Sequence, residues 1–194
     1  MATRYFAHLI MLIGTPVLLH AQARPFTASL GIGSGATSFS CDACGSHHDA
    51  GVAWLASAGV RVHPALVVAA EASGWSGNYA DSRGTGNARI VFGDVDVAWH
   101  PRPTSGFFVK AGAGAAWITD DVTITQVGKT TVTSHSPAFI VGAGWDMPVA
   151  RGFAITPYAN LDYAAQSNGT VNGFRGAQKL GGTLAHVGIA ATLR

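Results

Sequence analysis

Apolar and polar residues alternate with a period of two in short runs along most of this chain, and turn-forming residues bound each run. That pattern belongs to strands with two unlike faces. Eight runs are found, near 25–37, 51–62, 65–76, 88–100, 106–118, 137–148, 152–165 and 180–193. No helical period competes, and glycine recurs inside runs where it would weaken a helix. The connections alternate in length. Residues 38–50, 77–87, 119–136 and 166–179 form long ones, whereas His63-Pro64, Pro101 to Ser105 and Val149 to Arg151 are short. Long and short connections therefore segregate to opposite ends. The expected fold is all-β: an eight-stranded antiparallel up-and-down transmembrane β-barrel with both termini at the short-turn end.

The distribution of charge between the two faces sets the polarity of that barrel. In the second run Val52, Trp54, Ala56, Ala58, Val60 and Val62 oppose Ala53, Leu55, Ser57, Gly59 and Arg61. The fourth run sets Val91, Val95, Val97 and Trp99 against Asp94, Asp96 and His100. In the fifth, Phe107, Val109 and Trp117 oppose Lys110, and in the sixth Phe139, Val141, Trp145 and Met147 oppose Asp146. The last two place Thr156, Asn160, Asp162 and His186 opposite apolar rows. One face is nearly free of charge, Arg89 near a strand end excepted. A lysine or arginine facing lipid at the bilayer midplane costs about 2–4 kcal/mol. A soluble barrel would carry its charges outside. This pattern puts lipid outside and a polar lumen inside. Trp54, Trp99, Trp117, Trp145, Phe107, Phe153 and Tyr163 lie mostly toward run ends, as interfacial girdles require.

Composition agrees. Of the 194 residues only 11% are charged and 48% are hydrophobic, with 25 glycines, against about 25% charged in ordinary soluble domains. Disorder is excluded by the apolar content, and a formal net charge of +2 gives no nucleic-acid footprint. Residues 1–23 carry an early Arg4, an apolar stretch from Leu9 to Leu19 and an Ala21-Gln22-Ala23 cleavage site. They read as a secretory signal peptide cleaved near Ala23, leaving 24–194 as the barrel domain. The stretch is too short, and too broken by Gly14 and Pro16, for a membrane helix, which needs about 20 residues.

By parity the lumen holds Arg61, Glu71, Asp94, Asp96, Lys110, Asp146, Asp162 and His186, with Asn160 and Thr156. Eight strands leave an interior just wide enough for side chains, and buried charges must pair. The expected arrangement is a salt-bridge network around Arg61 and Lys110 that plugs the lumen. Five acids against two fixed bases also suit a narrow cation-favouring path or small-solute channel. Asp94 and Asp96 share a face, but a plugged lumen gives a carboxylate pair no substrate.

The signal peptide, the eight alternating runs and the final strand Gly181 to Arg194 resemble the small outer-membrane β-barrel family of the OmpA transmembrane domain, OmpX and OmpW types. The resemblance covers essentially the whole mature chain and rests on pattern. It implies residence in the bacterial outer membrane, contact with outer-membrane lipid and lipopolysaccharide, and the barrel-assembly machinery as a partner during insertion. In that family the terminal strand usually ends in an aromatic residue; here Leu193-Arg194 takes its place. Some eight-stranded barrels are lipid A deacylases with a His-x-Ser arrangement. Here Ala165 stands two positions before Ser167, and Ser134-His135-Ser136 has no evident acid partner.

Both cysteines lie in the first long connection, Cys41-Asp42-Ala43-Cys44-Gly45-Ser46-His47-His48. In an oxidising envelope a local Cys41–Cys44 disulfide is the expected state. Cys41, Cys44, His47 and His48 are the alternative as zinc or copper ligands. No metal or cofactor is assigned. The expected role is non-enzymatic: a structural or surface-interaction protein, adhesion-like, that presents its extracellular loops to a ligand, with nucleic acid excluded. A lipid-modifying enzyme is the remote alternative.

Overall fold

The computed structural model describes residues 26–41, 47–81, 84–124, 128–172 and 174–194. The signal-peptide reading and Cys44 lie outside the described residues. Nine strand elements follow one another: β1 (Phe26–Cys41), β2 (His47–His63), β3 (Leu66–Asp81), β4 (Gly84–Trp99), β5 (Phe107–Ile124), β6 (Gly128–Trp145), β7 (Met147–Ala150), β8 (Phe153–Val171) and β9 (Phe174–Leu193). Each pairs antiparallel with its sequence neighbour from β1 to β6. β1 also pairs with β9, β9 with β8, and β8 with both β6 and β7. The sheet thereby closes on itself and leaves no long edge.

β6 and β7 are one stave interrupted at Asp146. Gly144 pairs Tyr158 and Met147 pairs Ile155, so the register against β8 is unchanged across the gap. At Asp146 the register with β5 continues as a single bond, its N–H donating to the carbonyl of Gly106, 3.0 Å away and next to Phe107. The barrel therefore has eight staves, as the alternation predicts.

Alternation turns every second residue inward. Along β4, Val95 is 62% exposed while its neighbours Asp94 and Asp96 are 5% and 3% exposed. Leu30, Ile32, Trp54, Trp99, Phe139, Trp145, Val187 and Ile189 all point outward. Soluble monomers rarely expose contiguous apolar surface of that extent, which marks a face that meets lipid or a partner.

The strands are longer than the pattern suggests. They run 16 to 20 residues, β7 excepted, where about 9–11 cross a bilayer. Much of the expected long connections is paired strand. Beyond the outward Val91–Trp117 pair, β5 and β6 continue together from Thr119–Thr133 to Ile124–Gly128. The outer face becomes polar there: Arg89, Asn87, Thr119, Asp121, Thr131 and Thr133 replace the apolar row. Alternation alone did not reveal these segments because Gly, Asn and Thr occupy both of their faces.

Candidate functional site: the barrel interior

Inward-facing side chains sort into three levels. Nearest the short turns is a hydroxyl and carboxylate chain. Thr156 Oγ1 donates to Asp146 Oδ1 at 2.6 Å. Thr156 and Thr192 hydroxyls lie 2.8 Å apart, and Thr192 and Ser29 hydroxyls 3.0 Å apart. The Arg194 guanidinium donates to Asp146 Oδ2, and His100 Nε2 stands 3.6 Å from the same oxygen. The His100 ring is tilted against Phe108, with centroids 5.4 Å apart. The chain terminus thus closes the ring of staves and neutralises the buried carboxylate at that mouth.

Above it lies the charged level. Lys110 Nζ meets Glu71 Oε1 at 2.6 Å and Oε2 at 2.5 Å, both side chains buried. The pairing of β3 with β4 sets Glu71 opposite Asp94, and that of β4 with β5 sets Asp96 opposite Gly112. Turned to satisfy both ends of its amide, Asn160 accepts from Lys110 Nζ (3.3 Å) and donates to the Ala159 carbonyl (3.0 Å). His186 Nε2 lies 2.9 Å from Asp162 Oδ2, and its ring meets Tyr158 edge to face. Four carboxyl groups, Glu71, Asp94, Asp96 and Asp162, therefore surround one lysine and one histidine. Both oxygens of Asp94 and Oδ2 of Asp96 have no protein donor among the described residues. Glycine makes room for this crowd: a Cβ at Gly114 would collide with the Gly93 carbonyl and come within 2.8 Å of Asp94 Oδ1. A cavity of about 80 Å³ joins these two levels, lined by Arg61, Asp96, Lys110, Asp146 and Tyr158 among others.

The third level, toward the long connections, is apolar. Trp75, Ile90, Phe92, Ala116, Ile118 and Leu184 form one buried cluster. Register brings them together, for Trp75 pairs with Ile90 and Ile90 with Ile118. Trp75 Nε1 donates to the Gly35 carbonyl at 3.1 Å, and Phe39 meets its ring edge to face. The ring lies across the inner face of Gly51, where a Cβ would come within 2.6 Å of Nε1.

Glu71, Asp94, Asp96, Lys110, Asp162 and His186 meet in the charged level, and Asp146 stands apart with Arg194. Arg61 is not a hub. Its Nη1 donates to the Pro64 carbonyl at 2.8 Å, and it pairs with no acid among the described residues. At the end of β2 its side chain reaches the adjacent turn sooner than the charged level. The expected polar lumen holds over part of the interior only, since one end of it is hydrocarbon. The apolar cluster shares the parity of Glu71 and Asp94, so the signal was present in the sequence; without register its convergence was not. His47 and His48 fall on β2 opposite Phe39 and Ser38, and Cys41 ends β1. Ser134 and Ser136 point inward while His135 points out against Trp117, so these three do not converge.

No family model and no curated protein matches this sequence. Solved structures do match in fold. Neisserial surface protein A, NspA, superposes with a TM-score of 0.56 at 14% identity, over 87% of this chain and 96% of that one. Ail, the attachment invasion locus protein of Yersinia pestis, solved in complex with the heparin analogue sucrose octasulfate, gives 0.54 at 12% identity, over 85% and 98%. With closure into eight staves, an apolar outside and charges within, the chain has the fold of the small eight-stranded outer-membrane β-barrels.

Proposed function

We propose that this chain spans the bacterial outer membrane as a non-conducting barrel and holds a raised β-wall outside the cell for surface interaction. The projecting wall carries the reading. From Thr119–Thr133 to Ile124–Gly128, β5 and β6 add six further pairs with a polar outer face, more strand than a bilayer crossing uses. The wall is braced. The Thr131 hydroxyl donates to Asp121 Oδ1 at 2.6 Å, Lys129 pairs with Asp121 at 3.6 Å, and Asn172 caps the neighbouring β6–β8 seam by accepting from Thr131 N at 2.9 Å. Bonding of this kind presents a preformed surface, which lowers the ordering cost of binding. The similarity to Ail, a protein of attachment and invasion, supports the same role.

The interior supports the non-conducting half of the proposal. An ion entering from the short-turn mouth meets a lysine–carboxylate pair and then the Trp75–Phe92 hydrocarbon, where a bare charge is costly.

Two measurements test this. In intact cells, a membrane-impermeant amine reagent should label Lys129 and Lys179 and leave the buried Lys110 untouched. Labelling only after the envelope is broken would reverse the orientation and remove the surface role. In a planar bilayer the folded chain from Arg24 onward should be silent. Steady cation-selective openings would make it a channel, with Asp94 and Asp96 lining the path.

A further inference from the structure

The short-turn end carries a charge pattern that neither the fold nor the display role requires. Its connections hold Arg102 between β4 and β5 and Arg151 between β7 and β8, while Arg61 stands within β2 near its end and Arg194 follows β9. Arg61 and Arg194 are engaged within the barrel, by the Pro64 carbonyl and by Asp146, which leaves Arg102 and Arg151, on two neighbouring turns, as the cations this rim projects outward. Among the described residues the only acid at this end is Asp146, which is buried and already met by Arg194. The opposite end is mixed, with Asp120 and Asp121 on β5 beside Arg89 and Lys129 on the adjoining strands.

The turns hold these arginines in place. Ser105 N and Oγ both donate to the Arg102 carbonyl at 2.9 Å. Gly152, at φ +74°, follows Arg151, and its carbonyl accepts from Arg194 N at 3.0 Å, which sets Arg151 and Arg194 on one sector of the rim. Arg102 and Arg151 are exposed, and neither guanidinium is bonded within the described protein. Just inside the rim the outward side chains are Trp99, Phe107 and Trp145, an aromatic belt of the kind that sits at headgroup depth.

We propose that this arginine rim binds the phosphate groups of anionic phospholipids in the leaflet at the short-turn end. The proposal rests on the membrane-spanning reading above. Arginine suits the task because its planar fork meets phosphate oxygens two at a time. The aromatic belt decides for a lipid over a soluble polyanion, because it puts the guanidinium groups level with the headgroups. A lipid phosphate held by one arginine is favoured about five-fold over one that is not, the equivalent of about 1 kcal/mol per charge.

The test is lipid selectivity. The chain is inserted into phosphatidylcholine vesicles doped with spin-labelled phosphatidylglycerol or spin-labelled phosphatidylcholine, and the motionally restricted fraction of each probe is read by electron paramagnetic resonance. The glycerol probe should be enriched around the wild-type barrel. Enrichment should fall several-fold in Arg102→Gln/Arg151→Gln and in about 1 M NaCl, where the screening length is about 3 Å. It should persist in Arg89→Gln/Lys129→Gln, which removes two cations from the other end. Equal restriction of the two probes, or enrichment that survives the rim substitutions, overturns the proposal. Binding of soluble heparin to the rim in that preparation would then assign the arginines to a partner beyond the membrane. Failure of the chain to insert, seen as absent heat-modifiable gel migration, refutes the spanning reading itself.

Discussion

Lys110 is the residue whose removal the interior tolerates least. Its ammonium group touches both oxygens of Glu71, and Asp94, Asp96 and Asp162 stand around the same level. Removing one partner of a buried pair costs about 3–5 kcal/mol, because the other charge stays buried and unpaired. Lys110→Met leaves four carboxyl groups with only His186, so it should fall at the top of that range. Glu71→Gln should cost less, about 1–3 kcal/mol, since the amide still accepts from Lys110 and the lysine keeps three other carboxylates nearby. The asymmetry comes from the local excess of acid. An isolated pair would lose similar amounts from either side. Urea unfolding in phosphatidylcholine vesicles, followed by tryptophan fluorescence, gives both values, and the double variant gives the coupling between them. The reasoning fails if Lys110→Met costs under about 1 kcal/mol, the worth of an exposed pair, or if Glu71→Gln proves the more damaging.

Phe92→Ala should destabilise by about 3–5 kcal/mol, since Phe92 is fully buried in the apolar level, and in a planar bilayer this is the variant in which transient openings should first appear. Gly114→Ala drives a methyl into the Gly93 carbonyl and Asp94 and should cost about 1–3 kcal/mol as overpacking, read by the same urea titration. A variant retaining only Trp75, with the other tryptophans replaced by phenylalanine, should resist quenching by brominated lipid, whereas one retaining only Trp99 should be quenched strongly; the reverse order would invert the assigned faces. The Thr131 hydroxyl, and then Lys129, hold the Asp121 carboxyl below the usual aspartate range. Bracing by Asp121 is therefore complete above the ordinary aspartate pKa and lost as pH falls through the lowered one. Thr131→Val should return the Asp121 titration, followed by carboxyl carbon NMR, toward the ordinary value.

The sequence by itself determined which residues face in and which face out. Alternation is local: successive side chains leave a strand on opposite sides whatever its neighbours do. A charge-free row opposite Asp94, Asp96, Lys110, Asp146 and Asp162 therefore meant lipid outside before any pairing was known. The short turns at His63-Pro64, Pro101 to Ser105 and Val149 to Arg151 fixed stave count and direction in the same local way. Only the tertiary structure decided who meets whom. Arg61 and Lys110 look alike in the pattern, yet one reaches no acid and the other holds Glu71, because pairing across strands sets the height of each residue in the barrel. Trp75, Ile90, Phe92 and Leu184 look like ordinary apolar strand residues until register stacks them into one buried cluster at one level. Arg194 lies 48 positions from Asp146 in sequence, and their contact exists because β9 returns beside β8 and closes the barrel. Such contacts depend on non-local pairing, which a period of two cannot encode.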